Sequence, residues 1–176
     1  RRFREHTGVD MWAIVRAFLA NARAGHTVEG ASTITQQLVK NLFLTPDQTL
    51  KRKAQEARLA GDLERLLTKD DILDLYLNRI YLGAGAYGLD AAARTYFGKQ
   101  PADLTLAESA MLASFPKAPT RFANQVQTSK AKERQHYVLT QMVEAGFISQ
   151  AQAEEAKGQE LVFAKDTPDT FTGHAL

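Results

Sequence analysis

Apolar residues recur at helical spacing along most of the chain. In "VDMWAIVRAFLANARAG", residues 9–25, they fall at 11, 14, 15, 18 and 19, a stripe along one side of a helix that Gly25 ends. In the next helix Ile34, Leu38 and Leu42 recur every four residues and are expected to face a core. Thr33 and Gln36 stand at capping-box spacing there. "TPDQTLKRKAQEARLAGDLERLL" predicts a helix with Thr45 as N-cap, Pro46 at its first position and Asp47 in its first turn. Thr68 and Asp71 open another, which Gly83 is expected to end. "GAGAYGLDAAARTYFG" predicts a glycine loop and a short helix closed by Gly98, and Thr105 with Glu108 opens a helix that stops before Pro116. Two more, near 129–145 and 149–157, end at Gly146 and Gly158. From 159 onward the period is lost, which predicts an extended strand or linker over 159–176. The expectation is an all-α domain over residues 1–158.

Two faces carry more polarity than a plain amphipathic helix needs. In "GASTITQQLVKN", residues 30–41, Thr33, Gln37 and Lys40 fall at i, i+4 and i+7. They set a hydroxyl, an amide and an ammonium near a helix N-terminus, where free backbone N–H groups already favour anions. Such a stripe suits a phosphate or a polar sugar, and a solvated face with an ordinary cap explains the same spacing. In the following helix, at about 100° per residue from Leu50, Lys51, Gln55, Arg58, Asp62 and Arg65 form a solvent stripe. Leu59, Leu63 and Leu66 lie roughly opposite. Arg52 and Glu56 share that apolar side, with Lys53 at its edge. Charge on a burying face is unfavourable unless paired or used. The alternatives are an exposed i,i+4 pair, contributing a few tenths of a kcal/mol, and a half-buried Arg52–Lys53–Glu56 cluster lining a cleft.

Composition narrows the field. The chain has 176 residues, 44% hydrophobic and 24% charged, with a net charge of +2. That is globular composition, and too weakly basic to indicate nucleic acid by itself. With no cysteine there is neither a disulfide framework nor a thiolate metal site. No run in these residues reaches the roughly 18–20 apolar residues of a membrane span, and no signal peptide is expected within them. The opening "RRFREHTG" has no initiating Met, so a longer parent protein is expected. His6 beside Glu5 suggests a metal or acid–base pair, but no second histidine lies at ligand spacing, so a histidine-bound metal is rejected. In "YLNRIYLG", Tyr76, Asn78, Arg79 and Tyr81 read more readily as core than as a ligand platform. "GAGAYG" lacks the spacing and the preceding strand of a dinucleotide loop.

Taken in order, these segments resemble the peptidoglycan glycosyltransferase domain (glycosyltransferase family 51) of bifunctional class A penicillin-binding proteins and their monofunctional relatives. "RRFREHTG" is similar to the end of the family's first motif, with Phe3, His6 and Gly8 matching. "GASTITQQLVKN" resembles the second motif, "RKAQE" the third, "KDDILDLYLNRIYLG" the fourth and "LTLAESAMLASFPKAP" the fifth. The resemblance implies a lysozyme-like, two-lobed helical fold with a cleft and a small membrane-proximal lobe. It implies polymerisation of lipid II onto a growing glycan strand by inverting transfer, forming β(1→4) links and releasing undecaprenyl pyrophosphate. The implied place is the bacterial cell envelope, at the outer (periplasmic) face of the cytoplasmic membrane, with an anchor upstream of this chain and, in the bifunctional members, a transpeptidase domain attached. The partners are then lipid II, the strand and the membrane surface, and not nucleic acid.

By motif position, Ser32, Thr33, Gln37, Lys40, Arg52 and Lys53 are expected to bind the substrate and its pyrophosphate. Placed cations stabilise charge developing on such a leaving group. Glu56 matches the second acid, which orients those cations or a divalent cation, Mg or Mn; no other metal ligand is assigned. The principal base, a glutamate four residues before the motif's Phe, falls upstream of Arg1, so a chain truly beginning at Arg1 is expected to be inactive. Trp12 and Phe18 acquire a reading as lipid-facing groups beside that of an ordinary core helix. Two alternatives are weighed. A lysozyme-like muramidase or lytic enzyme needs a protonated acid rather than three cations. A non-catalytic helical binding module needs its basic residues on one exposed face, whereas Arg52 falls on an apolar side.

Overall fold

The computed structural model describes residues 3–26, 30–43 and 49–164, with Leu50 known by its backbone only. Every regular element among them is helical. The α-helices are α1 (Met11–Ala24), α2 (Ile34–Phe43), α3 (Leu50–Leu66), α4 (Lys69–Arg79), α5 (Leu89–Phe97), α6 (Leu106–Ser114), α7 (Pro119–Ala123), α8 (Ser129–Glu144) and α9 (Gln150–Gly158). The all-α expectation holds. The chain divides into two compact units, Arg1–Arg79 and Ile80–Leu176.

In the first unit α2 packs against α3 and α4. Asp10 caps α1, its carboxylate accepting from the Ala13 amide at 3.0 Å, and Gly25 closes that helix in the left-handed conformation. Only Ala17 of α1 is buried. The apolar stripe of α1 faces out: Met11, Trp12 and Phe18 are 65%, 69% and 71% exposed. On α2 the fully buried residues are Thr35, Leu38 and Val39. Ile34 and Leu42 are half-buried, so the buried face is turned toward Thr35 relative to the predicted one.

Helix α3 begins at Leu50, and its cap is Thr49, whose hydroxyl accepts from the Arg52 amide at 3.1 Å. Thr45, Pro46 and Asp47, the predicted start, lie outside the described residues. The three leucines do not define the buried side either. Leu66 is 81% exposed, whereas Glu56 and Ala60 are buried. The reason is close packing: a Cβ on Gly8 would lie 2.8 Å from the Gly61 nitrogen and 2.9 Å from the Ala60 carbonyl carbon. Small residues let the Gly8 backbone approach α3 where leucines would hold it away.

Thr68 and Asp71 cap α4 as predicted. That helix ends at Arg79 rather than at Gly83. In the second unit, residues 80–88 form a tight turn, with amide–carbonyl bonds from Leu82 to Ala86 and from Gly88 to Ile80. Gly83 sits within this turn at φ +88°, pressed against Ala123 and the Pro119 carbonyl. Helix α6 opens on the Thr105–Glu108 capping box. With α8 and α9 it encloses a core of Ala107, Ala110, Leu139, Ala153 and Ala156. Residues 159–164 carry no helix. They pack back on α5: the Ala164 amide donates to the Tyr96 carbonyl at 2.9 Å, and Phe163 stacks on Phe97. Residues 165–176 lie outside the described residues.

Candidate active site

The start of α2 is built from its own side chains. The Gln36 amide N–H donates to Thr33 Oγ1 at 3.1 Å, and the Thr33 N–H donates to Gln36 Oε1 at 3.0 Å, a reciprocal cap. Thr33 Oγ1 spends its own proton on the Gly8 carbonyl at 2.7 Å, and the residue is buried. Thr33 therefore locks α2 to the Gly8 turn instead of presenting its hydroxyl outward beside Gln37 and Lys40, as the stripe predicted.

Ser32, one residue earlier, is exposed, and its Oγ accepts from Lys53 Nζ at 2.8 Å. The same ammonium donates to Glu56 Oε2. Glu56 has only 2% of its side chain exposed, and its Oε1 lies 3.4 Å from an Arg52 guanidinium nitrogen, with Arg52 itself largely covered. The predicted half-buried Arg52–Lys53–Glu56 cluster is thus present, and Ser32 joins it. Two cations on one buried carboxylate leave the cluster net positive. Lys53, about half exposed, has used two of its three N–H donors, so one remains for an anionic oxygen.

Gln37 is half-buried. It accepts from Tyr76 Oη at 3.2 Å through Oε1 and donates to the Ser32 carbonyl at 3.5 Å. Burial raises the Tyr76 phenol to about 12, keeping it a neutral donor. Lys40 stands apart. It is exposed, and among the described residues it enters no hydrogen bond or ion pair. The structure does not bring it into contact with Glu56.

Beside the cluster is a cavity of about 200 Å³, whose lining includes Phe3, His6, Asp10, Ser32, Thr33 and Gln37. Behind its wall lies a group that the helical wheel did not expose. Glu64 on α3 accepts from Thr35 Oγ1 and Lys69 Nζ, each at 2.6 Å. His6 Nδ1 is 3.7 Å from Glu64 Oε1. Burial and then the Lys69 charge hold the His6 imidazole below its ordinary value, against Glu64 and Asp10, which raise it. A signal for Glu64 does exist in the sequence: Glu56, Ala60 and Glu64 fall at i, i+4 and i+8, all on one face.

A family model described as Transglycosylase matches residues 1–143. The chain belongs to the transglycosylase family. Among its relatives, penicillin-binding protein 1A of Aquifex aeolicus (strain VF5) is 49% identical over all of this chain and 24% of that protein. Penicillin-binding protein 1A of Neisseria flavescens is 48% identical over 94% of this chain and 21% of that protein. The chain therefore spans about a quarter or less of the length of these relatives. A crystal structure of penicillin-binding protein 1A from Haemophilus influenzae is similar in fold, with a TM-score of 0.50 at 31% identity, covering 75% of this chain and 16% of that one.

The segments 30–41 and 52–56 meet at Ser32, Lys53 and Glu56 in one unit of this chain. Glu56 is engaged by protein cations. Both carboxylate oxygens face cations, and among the described residues no group of three or more His, Cys, Asp or Glu side chains is arranged to hold a metal.

Proposed function

We propose that this chain is a peptidoglycan glycosyltransferase domain that extends glycan strands from lipid II, forming β(1→4) links with inversion and releasing undecaprenyl pyrophosphate. The observation that carries this reading is the net-positive Ser32–Lys53–Glu56–Arg52 cluster in a transglycosylase chain. The leaving pyrophosphate gains negative charge in the transition state, and cations already fixed in place need no reorganisation to stabilise it. In this reading Lys53 and Lys40 meet the phosphate oxygens. Glu56 holds Lys53 and Arg52 in position rather than taking a proton, since cations face both of its oxygens. A hydrolase would need a protonated acid at this position. The membrane surface belongs to the same reading, because the outward Trp12 and Phe18 of α1 suit the headgroup boundary from which a lipid-linked substrate is drawn. An attached transpeptidase domain and a place in the cell envelope belong to the same reading, which the relatives' names and greater length support.

The test is polymerisation of fluorescent lipid II by the full-length protein carrying this chain. Lys53→Ala and Lys40→Ala are each expected to lower turnover by about a hundredfold, and Glu56→Gln by about tenfold or more, with the helical fold retained. Wild-type turnover in all three variants refutes the assignment. Release of fragments from finished peptidoglycan refutes the reaction.

A further inference from the structure

The Phe3–Gly8 segment has no helix or strand of its own, yet it forms one wall of the 200 Å³ cavity. Three helices reach it through one buried charge pair. Lys69 Nζ, at the start of α4, donates to the His6 carbonyl at 2.6 Å and lies 4.7 Å from the centre of the Phe3 ring. It donates also to Glu64 of α3, which accepts in turn from Thr35 of α2. The side chains of Glu64 and Lys69 are 5% and 20% exposed.

A pair so largely covered is a weak source of stability, because desolvation offsets its attraction. Its value lies in direction. An apolar pair of equal volume fills the space but cannot hold a backbone carbonyl. The Lys69 ammonium is engaged by a carboxylate, a carbonyl and an aromatic face. It differs in this from Lys53, which is about half exposed, and from Lys40, which is exposed and makes no polar contact among the described residues.

We propose that Glu64 and Lys69 are positioning residues, which fix the Phe3–Gly8 wall of the site through its backbone and the Phe3 ring without touching substrate. The proposal rests on the glycosyltransferase reading. It explains a placement that reading leaves unused: a lysine and a glutamate from two different helices, largely covered and paired with each other. Misplacing the wall by a fraction of an ångström lowers the rate of the chemical step and leaves ground-state binding largely intact.

The test compares Lys69→Met, Lys69→Arg and Glu64→Gln in the full-length protein, by lipid II kinetics, thermal unfolding and hydrogen exchange of the amides of residues 4–8. The control is Arg4→Ala, which removes an exposed ion pair to Asp70 on the same segment. Lys69→Met is expected to lower kcat about tenfold to a hundredfold with KM within about twofold, and to speed exchange over residues 4–8. Lys69→Arg, which keeps donors for both the carboxylate and the carbonyl, is expected to recover most of the rate. Glu64→Gln is expected to show the Lys69→Met pattern more weakly, and it decides the matter if Lys69→Met does not fold. Arg4→Ala is expected to match wild type. Wild-type kcat and exchange in both Lys69→Met and Glu64→Gln overturn the proposal, as does a raised KM at unchanged kcat, which would put Lys69 on the substrate. If the wild-type protein polymerises no lipid II, the glycosyltransferase reading fails instead, and the exchange measurement alone still decides the anchoring.

Discussion

Gly8→Ala probes the contact on which this whole wall depends. Gly8 has φ +92°, and an added Cβ would lie 2.8 Å from the Gly61 nitrogen, 2.9 Å from the Ala60 carbonyl carbon and 3.0 Å from the Ala60 oxygen. All three atoms are helix backbone, so no side chain can swing aside. The left-handed conformation costs an L-residue about 1–2 kcal/mol. Overpacking against rigid backbone adds roughly 1–3 kcal/mol. Loss of glycine's freedom in the unfolded chain returns about 0.4–1 kcal/mol. The net expectation is a destabilisation of about 2–4 kcal/mol.

Gly25 supplies the internal control. It too has positive φ, at +70°, but nothing lies within 4 Å of its added Cβ. Gly25→Ala meets only the conformational cost, reduced by the same unfolded-state return, for about 1 kcal/mol or less. The difference between the two variants isolates the contact with α3. Urea unfolding of the 176-residue chain measures it through the shift in midpoint at unchanged slope. Because the Gly8 carbonyl also accepts the Thr33 hydroxyl, the larger loss should be accompanied by faster exchange at the start of α2. If Gly8→Ala proves no more harmful than Gly25→Ala, the Gly8 turn does not rest on α3, and the cavity wall described above is wrong.

Other outcomes follow from the same structure. His6 takes up a proton less readily folded than unfolded, so its contribution to stability is complete above its ordinary value of 6.5 and is lost as pH falls from there toward the lowered folded value. Unfolding midpoints of wild type and His6→Asn should therefore diverge as pH drops from about 7 to about 5, and parallel curves would refute this. The paired change Trp12→Ser and Phe18→Ser should leave stability nearly unaltered, since both side chains are about 70% exposed. It should weaken sedimentation with anionic vesicles by about tenfold or more, from lost apolar contact alone; undiminished binding would show that this stripe is not the membrane-facing side.

Which parts of the fold were legible depended on whether local chemistry decided them. Caps at Thr68 and Thr105 and stops at Gly25 and Gly98 are local, because each satisfies backbone groups within a few residues. The α3 wheel placed the solvent side and the covered Arg52 and Glu56 correctly but not Leu66, for the opposite reason. Leucine content suggested one burying side, but the side actually buried was chosen by a glycine more than 50 positions earlier in the chain, whose backbone accepts only Ala60 and Gly61 beneath it. Turning the helix to meet Gly8 exposes Leu66 and carries Glu56 inward together with Glu64. The predicted cluster was thus reached through leucines that were a poor guide. Asp71 was legible by its spacing from Thr68, whereas the role of Glu64 depends on partners from α2 and α4 that no single helical period reveals.

The two glutamates on that face now divide the work of the site. Glu56 holds cations that remain partly open to solvent, and Ser32 fastens Lys53 from the α2 side. Glu64, two turns further along the same helix, holds a lysine that is largely covered and engaged by protein groups. An exposed ammonium with a free donor can follow a phosphate as charge builds on it. A buried ammonium with all its partners in place can only keep its surroundings still. Through Glu56 and Glu64, eight residues apart, one helix face therefore supports a responsive cation and a fixed one, and Ala60 between the two glutamates is small enough to admit the Gly8 backbone. A bulkier residue at position 60 would lift that backbone off α3 and disturb both glutamates' surroundings at once, although Ala60 touches neither charge.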